Sequence, residues 1–332
     1  MKASHTFASN FPKKMSLLPL VIVNPASARG ATGRQWPSIA SDLRTHFGPF
    51  NCAFTERAGD GRRLASEAAA QGRRLIVACG GDGTINEVAN GILEAGGESE
   101  LGLLPSGTGG DFRRTLRIPA RAAEAARSLR EGRTRQMDAG RVTYINHAGE
   151  SETRYFLGVA SFGMSPEVIE RVKKSDAGWL SSVRAGRQGS LGGRVSFALA
   201  TLQTTLTSPR TSVTVQLDAE AERRLTLTNL CVANARYFGG GMKVAPQAIL
   251  DDGRFDVIII GDLGALKILG HAPQLYLGTH LRLDQVHHRR AARVEARPAD
   301  KKREVAIEVD GELVGRLPAT FEILPGALRV RS

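Results

Sequence analysis

Leu75 to Glu87 reads Leu-Ile-Val-Ala-Cys-Gly-Gly-Asp-Gly-Thr-Ile-Asn-Glu, and the fold turns on how this stretch is read. Leu75 to Cys79 is an apolar run short enough for a buried strand. Gly80-Gly81-Asp82-Gly83-Thr84 breaks it. Apolar residues then resume at helical spacing, with Ile85, Val88, Ala89, Ile92 and Leu93 on one stripe. A strand, a glycine-rich turn and a helix N-terminus together make a phosphate cradle. Glycines let the backbone approach the anion, and the free amides with the helix dipole favour its charge. Asp82 inside such a cradle would repel phosphate unless a cation stood between them, which makes it a candidate for organising Mg²⁺. The plain alternative is a tight turn whose Asp caps the helix. Two further stretches that repeat the theme argue against it.

The first lies upstream. Leu20 to Val23 reads as a strand and ends in Asn24-Pro25-Ala26-Ser27-Ala28-Arg29-Gly30. Asn24 and Ser27 offer side-chain hydrogen bonds, and Arg29 or Arg34 can meet a phosphate. The second, Leu101 to Phe112, is again a short apolar strand, then a loop with Gly107, Gly109 and Gly110 closing on Asp111. Thr108 in that loop can donate to a phosphate oxygen or to a ribose. No G-x-x-x-x-G-K-[ST] occurs, and no G-x-G-x-x-G opens a helix, so Walker-type and dinucleotide fingerprints are excluded. Helices are expected over Gln35–Phe47, Gly61–Gln71 and Arg121–Arg130, with strands over Asn51–Thr55 and Met137–Val142. That alternation predicts a parallel, helix-covered sheet, whose ligands bind at the carboxyl ends of its strands.

The chain of 332 residues suits two domains, and 42% hydrophobic with 23% charged residues is a globular composition. Lys and Arg number 45 against 33 Asp and Glu, and the net charge of +12 favours anionic partners: nucleotide, nucleic acid or an acidic membrane leaflet. Three separated cysteines, Cys52, Cys79 and Cys231, form neither a metal spacing nor a disulfide framework, which suits a reducing cytoplasm. Residues before about 15 read as a loose tail, and the apolar run from Ser16 to Val23 is too short to span a bilayer. Two basic stretches stand out. Arg171–Arg194 carries six basic residues against one acid, with Trp179, and Arg282–Arg303 carries eight against three. The first, Gly-rich with its Trp, would suit docking on an anionic membrane and reads equally well as a solvated disordered loop. Few aromatics interleave with them, so no nucleic-acid partner is expected. His271, His280, His287 and His288 lack ligand spacing near acids and read as surface or packing residues.

From about residue 146 the pattern changes to short, β-branched runs: Thr211–Leu217, Leu225–Ala233, Phe255–Ile260, Ala292–Ala296, Val305–Val309 and Thr320–Leu324. Such spacing predicts an antiparallel sandwich. Helices over Val195–Leu206 and Leu263–Leu277 interrupt it. The expected architecture is α/β plus all-β: an N-terminal parallel α/β nucleotide-binding domain over residues 17–145 and a C-terminal antiparallel β-sandwich over 146–318.

Gly80-Gly81-Asp82-Gly83-Thr84 with Asn86-Glu87, the preceding Asn24-Pro25-x-Ser27, and Gly107-Thr108-x-x-Asp111-Phe112 resemble the diacylglycerol kinase catalytic domain, whose family includes sphingosine and ceramide kinases and bacterial lipid kinases. The resemblance continues through Tyr155–Gly163 with Glu167, Ala245-Pro246-x-Ala248 to Asp251-Asp252-Gly253, and Val309-Asp310-Gly311-Glu312. It covers most of residues 20 to 330, and the last two stretches separate it from NAD kinases, which share Gly-Gly-Asp-Gly-Thr. In two places this chain departs from the family pattern: Gly110 stands where Asn is usual, and Ala28 where Gly is usual.

The resemblance implies an active cleft between the two domains and a terminal segment, 319–332, that returns to the first. It implies ATP held by Asn24, Pro25, Ala26, Ser27, Ala28, Thr55, Gly81, Asp82, Gly83, Thr84, Ile85, Asn86, Glu87 and Thr108. It also implies Mg²⁺ held by Asp252 with the Ile249 and Arg254 carbonyls, tied through water to Asp82 and Asp111. Asp310 or Glu312 is then the proton acceptor for a lipid hydroxyl, though Asp-Gly by itself reads equally as a hairpin turn. The expectation is an ATP-dependent kinase acting on a diacylglycerol-like or sphingoid lipid, cytoplasmic and peripheral to the inner membrane face. A homodimer is compatible with an exposed sheet edge. The rival expectations are a soluble-substrate kinase of the NAD kinase type and a non-catalytic nucleotide-binding module.

Overall fold

The computed structural model describes residues 17–107, 110–167, 210–263, 265–300 and 302–332. Four short strands, β1 (Leu20–Val23), β2 (Asn51–Phe54), β3 (Leu75–Gly80) and β4 (Glu100–Pro105), lie parallel in the order β2-β1-β3-β4. β1 and β3 are buried along their whole length, as apolar strands covered on both faces must be. The covering helices are α1 (Ala31–His46), α2 (Asp60–Ala70), α3 (Asp82–Glu94) and α5 (Ala122–Glu131), with a short α4 (Asp111–Leu116). α1 packs on α5 and α2 on α3. A Cβ on Gly91 would collide with the Arg62 carbonyl oxygen, so the α2–α3 crossing needs glycine there.

The second half forms a sandwich. One sheet runs β12-β11-β10-β7-β14-β15, from β7 (Val159–Gly163), β10 (Asn229–Ala233), β11 (Phe255–Ile260), β12 (Val286–Ala291), β14 (Ala306–Val309) and β15 (Glu312–Arg331). The other joins β9 (Arg223–Leu227), β8 (Thr211–Leu217), β13 (Arg293–Pro298), β15, β5 (Thr134–Asn146) and β6 (Ser151–Phe156). Phe156, Phe162, Phe255 and Phe321 fill the space between them, with Phe156 stacked on Phe255 at 5.5 Å and Phe162 on Phe321 at 6.3 Å.

β15 belongs to all three sheets. It pairs with β14 near Glu312, with β13 near Phe321, and parallel to β4 at Arg329–Arg331. The expected strand Thr320–Leu324 and the end of the returning terminal segment are therefore parts of one strand. A second difference concerns Leu225–Ala233, which breaks at Thr228 into β9 and β10. These pair in opposite sheets, so one apolar run crosses from one layer to the other. β12, Val-His-His-Arg-Arg-Ala, carries no hydrophobic alternation and gives no strand signal; it forms because β11 offers an antiparallel edge. α6 (Ala265–Leu277) lies where a helix is expected, whereas Val195–Leu206 lies outside the described residues.

Candidate active site

The three strand-end turns meet. Asn24 donates from Nδ2 to Thr84 Oγ1 at 3.0 Å, and the Gly81 amide donates to Ser27 Oγ at 3.3 Å. Ser106 N reaches the Gly80 carbonyl at 2.9 Å, while Thr32 Oγ1 donates to the Ser106 carbonyl at 2.9 Å. Gly81 and Gly107 touch backbone to backbone: a Cβ on Gly107 would fall 2.5 Å from Gly81 Cα. Ala28, Arg29 and Gly30 all have positive φ, at 52°, 58° and 81°. No acceptor among the described residues meets the amides of Ala28 and Arg29. These two amides and the first-turn amides of α3, which a helix leaves without internal partners, suit an anion. The family's usual Gly at position 28 is explained by the left-handed backbone. So is its Asn at position 110, where φ is 65°, because Gly and Asn both tolerate that region.

Asp82 is engaged by the neighbouring helix α4. Its carboxylate accepts the amides of Asp111 at 3.1 Å and Phe112 at 3.2 Å, capping the first turn of α4 from outside. Asp111 in turn accepts from Arg114 Nη1 at 2.8 Å and, across to the second half of the chain, from the Gly240 amide at 2.7 Å. Burial pushes the Asp111 carboxyl up and the nearby Asp82 adds to the rise, against the pull of the Gly240 amide and Arg114.

One helical turn beyond the cradle, α3 reaches the Asp310 turn. Asn86 donates from Nδ2 to Asp310 Oδ2 at 2.7 Å. The same oxygen accepts the Leu157 amide at 2.9 Å, and Oδ1 accepts the amides of Gly158 at 2.9 Å and Val159 at 3.0 Å. Four donors thus occupy the four lone-pair sites of one carboxylate. Burial raises the Asp310 carboxyl above its ordinary range although all four donors lower it. Asn90 fixes Asn86: its Nδ2 meets Asn86 Oδ1 at 3.2 Å, and its amide group also exchanges hydrogen bonds with the Tyr155 backbone. Glu312 is different. Its Oε2 pairs with Arg154 Nη2 at 2.7 Å, while no partner among the described residues meets Oε1. Arg154 also reaches Asn86 Oδ1 at 3.4 Å. The two acids therefore share one network with the helix that follows the cradle.

Several expected site residues do other work. Ile85 is 1% exposed and packs in the core of the first half. Glu87 accepts the amides of Gly59 and Gly61, both at 2.9 Å, so its carboxylate closes the start of α2 and not the cradle. Asn86 serves Asp310. Thr55 is buried at the carboxyl end of β2, and Pro25 accepts the Gly33 amide through its carbonyl. Thr108 lies outside the described residues.

Asp252, the acid of the expected Mg²⁺ set, is already paired. Asp252 accepts the Arg254 amide at 3.1 Å and forms an ion pair with Arg290, which neutralises it locally. The Arg254 side chain is turned to Asp218 at 3.6 Å, and Ile249 is exposed. Among the described residues no three acids, histidines or cysteines converge as metal ligands. Asp82, Asp111 and Asp252 therefore form no three-carboxylate cluster. Beside Asp252, the Asp138 carboxylate grips the amides of Gly253 and Gly326, both at 2.7 Å, and holds the Asp252 loop against β5 and β15.

The sequence gives no motif for Asn90, Asp138, Arg154 or Gly240, because each acts on a partner distant in sequence. Two expectations about charge and thiols also meet the structure. In the second basic stretch Arg290, Arg293 and Arg297 pair with Asp252, Glu295 and Glu222, which leaves less free charge for a membrane than the count suggests. The first stretch lies outside the described residues. All three cysteines are free, and burial pushes the thiols of Cys79 and Cys231 to about 12, so neither is a nucleophile.

Comparison with known proteins bears on the whole arrangement. Residues 19–142 match the family described as diacylglycerol kinase catalytic domain, and residues 180–332 match the YegS C-terminal NAD kinase beta sandwich-like domain. The diacylglycerol kinase of Staphylococcus saprophyticus is 28% identical over 302 residues, 91% of this chain and 90% of that protein. That of Bacillus subtilis is 27% identical over 303 residues, 91% of each. A crystal structure from Bacillus anthracis str. Sterne superposes with a TM-score of 0.72 at 23% identity, covering 98% of both chains, which is a likeness of fold.

Proposed function

The chain belongs to the diacylglycerol kinase catalytic-domain family, and from that premise we propose that it transfers the γ-phosphate of ATP to the hydroxyl of diacylglycerol at a membrane surface. The observation that carries this reading is the Asn86–Asp310 hydrogen bond, which joins the helix behind the phosphate cradle to the acid turn 224 residues further on. A kinase for an alcohol needs amides for the phosphates and an acceptor for the hydroxyl proton within one transfer distance.

In this reading the free amides of Ala28 and Arg29, with the first turn of α3, hold the donor phosphates, and Thr84 closes the cradle. Glu312 Oε1, the open oxygen of the acid turn, takes the hydroxyl proton. The lipid oxygen forms its bond to the γ-phosphorus as the bond to the β-bridging oxygen breaks and ADP leaves. Arg154 stabilises the Glu312 carboxylate between turnovers. Asp310 has no open lone pair and holds Asn86 and the 157–159 backbone in place. The names of the relatives favour diacylglycerol over a sphingoid base. No helix among the described residues is long and apolar enough to cross a membrane.

The test is transfer of label from γ-labelled ATP, supplied as its magnesium salt, into mixed micelles containing diacylglycerol or sphingosine. Labelled phosphatidic acid is expected, and Glu312→Gln should lower its formation by about 10²–10⁴-fold, the usual worth of a general base. Label in sphingosine alone would move the acceptor. Label in neither lipid, with ATP binding intact, would overturn the reading.

A further inference from the structure

One buried acid beside this turn has no part in the proposed transfer. Ile307 and Val309 point into the sandwich core, so Glu308 between them faces the other side of the sheet. It is 0% exposed and lies directly across from Ser161, which is also 0% exposed. Ser161 Oγ donates to Glu308 Oε2 at 2.6 Å, and the Gly311 amide donates to Glu308 Oε1 at 2.5 Å. Val309 pairs with Glu312, so Asp310 and Gly311 form a two-residue hairpin turn, with φ 48° and 87°. In such a turn the second central amide has no partner from the ladder. Glu308 supplies one. The pairing of β14 with β15 also slips between Ile307 and Glu308, a bulge that re-aims the residues after it.

A buried acid is costly to keep, and an apolar residue would fill the position without that cost. What Glu308 adds is a fixed grip on Gly311, the residue between Asp310 and Glu312. We propose that Glu308 is a positioning residue for phosphate transfer, holding the Asp310–Glu312 turn in register with Asn86 and Arg154 through the Gly311 amide. Ser161 orients the Glu308 carboxylate for that grip. The inference rests on the reading in which this turn serves the acceptor hydroxyl.

Glu308→Asp, Glu308→Gln and Glu308→Ala, made in the full chain, test it by kcat, KM for ATP and melting temperature in the micelle assay. Gln keeps both contacts, since its carbonyl accepts from Gly311 and its NH2 donates to Ser161 Oγ. Asp keeps the charge but is one methylene too short to reach Gly311. The expected result is kcat within about threefold of wild type for Gln and a fall of about tenfold or more for Asp and Ala, with KM for ATP unchanged, as misplacement of a reacting group produces. If Ala fails to fold, the Asp and Gln pair carries the comparison. Wild-type kcat in a folded Asp variant would overturn the inference. Equal losses in Gln and Asp would overturn it too, by making charge the active property. Glu312→Gln in the same assay separates the two failures. If it keeps full kcat, the reading of the turn falls and the inference with it. If it is inactive while Glu308→Asp is active, only the positioning role falls.

Discussion

The phosphate cradle and the acid turn are both small groups of hydrogen-bonded atoms at the end of a sheet, yet they are built in opposite ways. The cradle is mostly backbone. Its parts, residues 24–30, 80–84 and 105–107, follow strands that are neighbours in one parallel sheet, and small residues let the turns touch. The acid turn is mostly side chain. Asn86, Asn90, Arg154 and Asp310 come from a helix, one sheet of the sandwich and a hairpin of the other, with Arg154 and Glu312 alone 158 positions apart. A backbone site tolerates changes of side chain but not of volume. A side-chain site should respond the other way, and substitutions can test that contrast.

The largest effect is expected at Asp310. Asp310→Ala strips acceptors from three backbone amides and Asn86, and sets alanine at a φ of 48°. Orphaned buried donors dominate such a change, so a stability loss on the order of 3–5 kcal/mol should accompany loss of turnover. Chemical denaturation beside the lipid assay checks both. An Asp310→Ala chain as stable as wild type would show that the turn is held from elsewhere, and the contrast with the cradle would fail.

This contrast also explains what was legible in the sequence. The cradle could be read because each part is a local pattern, a strand followed by glycines, and because parallel strands deliver such turns to one edge. The sandwich could be read from its short β-branched runs. The seam between the halves could not. β15 threads three sheets as one strand although Pro318 and Pro325-Gly326 interrupt its pattern, and Leu225–Ala233 looks like one strand because its change of sheet at Thr228 leaves no mark on hydrophobicity. Glu87 and Asn86 sit in one motif, yet one closes α2 and the other reaches Asp310. Their helical positions differ by about 100°, and only the packing partners decide what each faces.

A middle-sized effect is expected in the cradle. Gly107→Ala places a methyl carbon 2.5 Å from Gly81 Cα, a backbone atom that cannot move aside as a flexible side chain would. The turns must part, at a cost of about 1–3 kcal/mol typical of overpacking. Because the change falls on the proposed donor site, KM for ATP should rise by about tenfold with a smaller fall in kcat. Glu308→Asp is expected to do the reverse. Should both variants change the same kinetic constant, the two regions would be one functional unit.

The smallest effect concerns Ala28, and it has the opposite sign. At φ 52° alanine pays for a left-handed conformation that costs an L-residue about 1–2 kcal/mol, while glycine there loses roughly 0.5–1 kcal/mol more chain entropy on folding. The difference favours glycine slightly. Ala28→Gly should therefore raise the melting temperature by ~1–2 °C. Arg29 beside it, at φ 58°, carries the same kind of strain with a charged side chain, so Arg29→Gly would relieve strain but also remove a cation from the cradle. If the cradle is a backbone device, both variants gain stability and keep ATP affinity within a few-fold. A large loss of affinity in Arg29→Gly alone would make the arginine side chain a phosphate ligand, and the cradle would then resemble the acid turn more than the geometry implies.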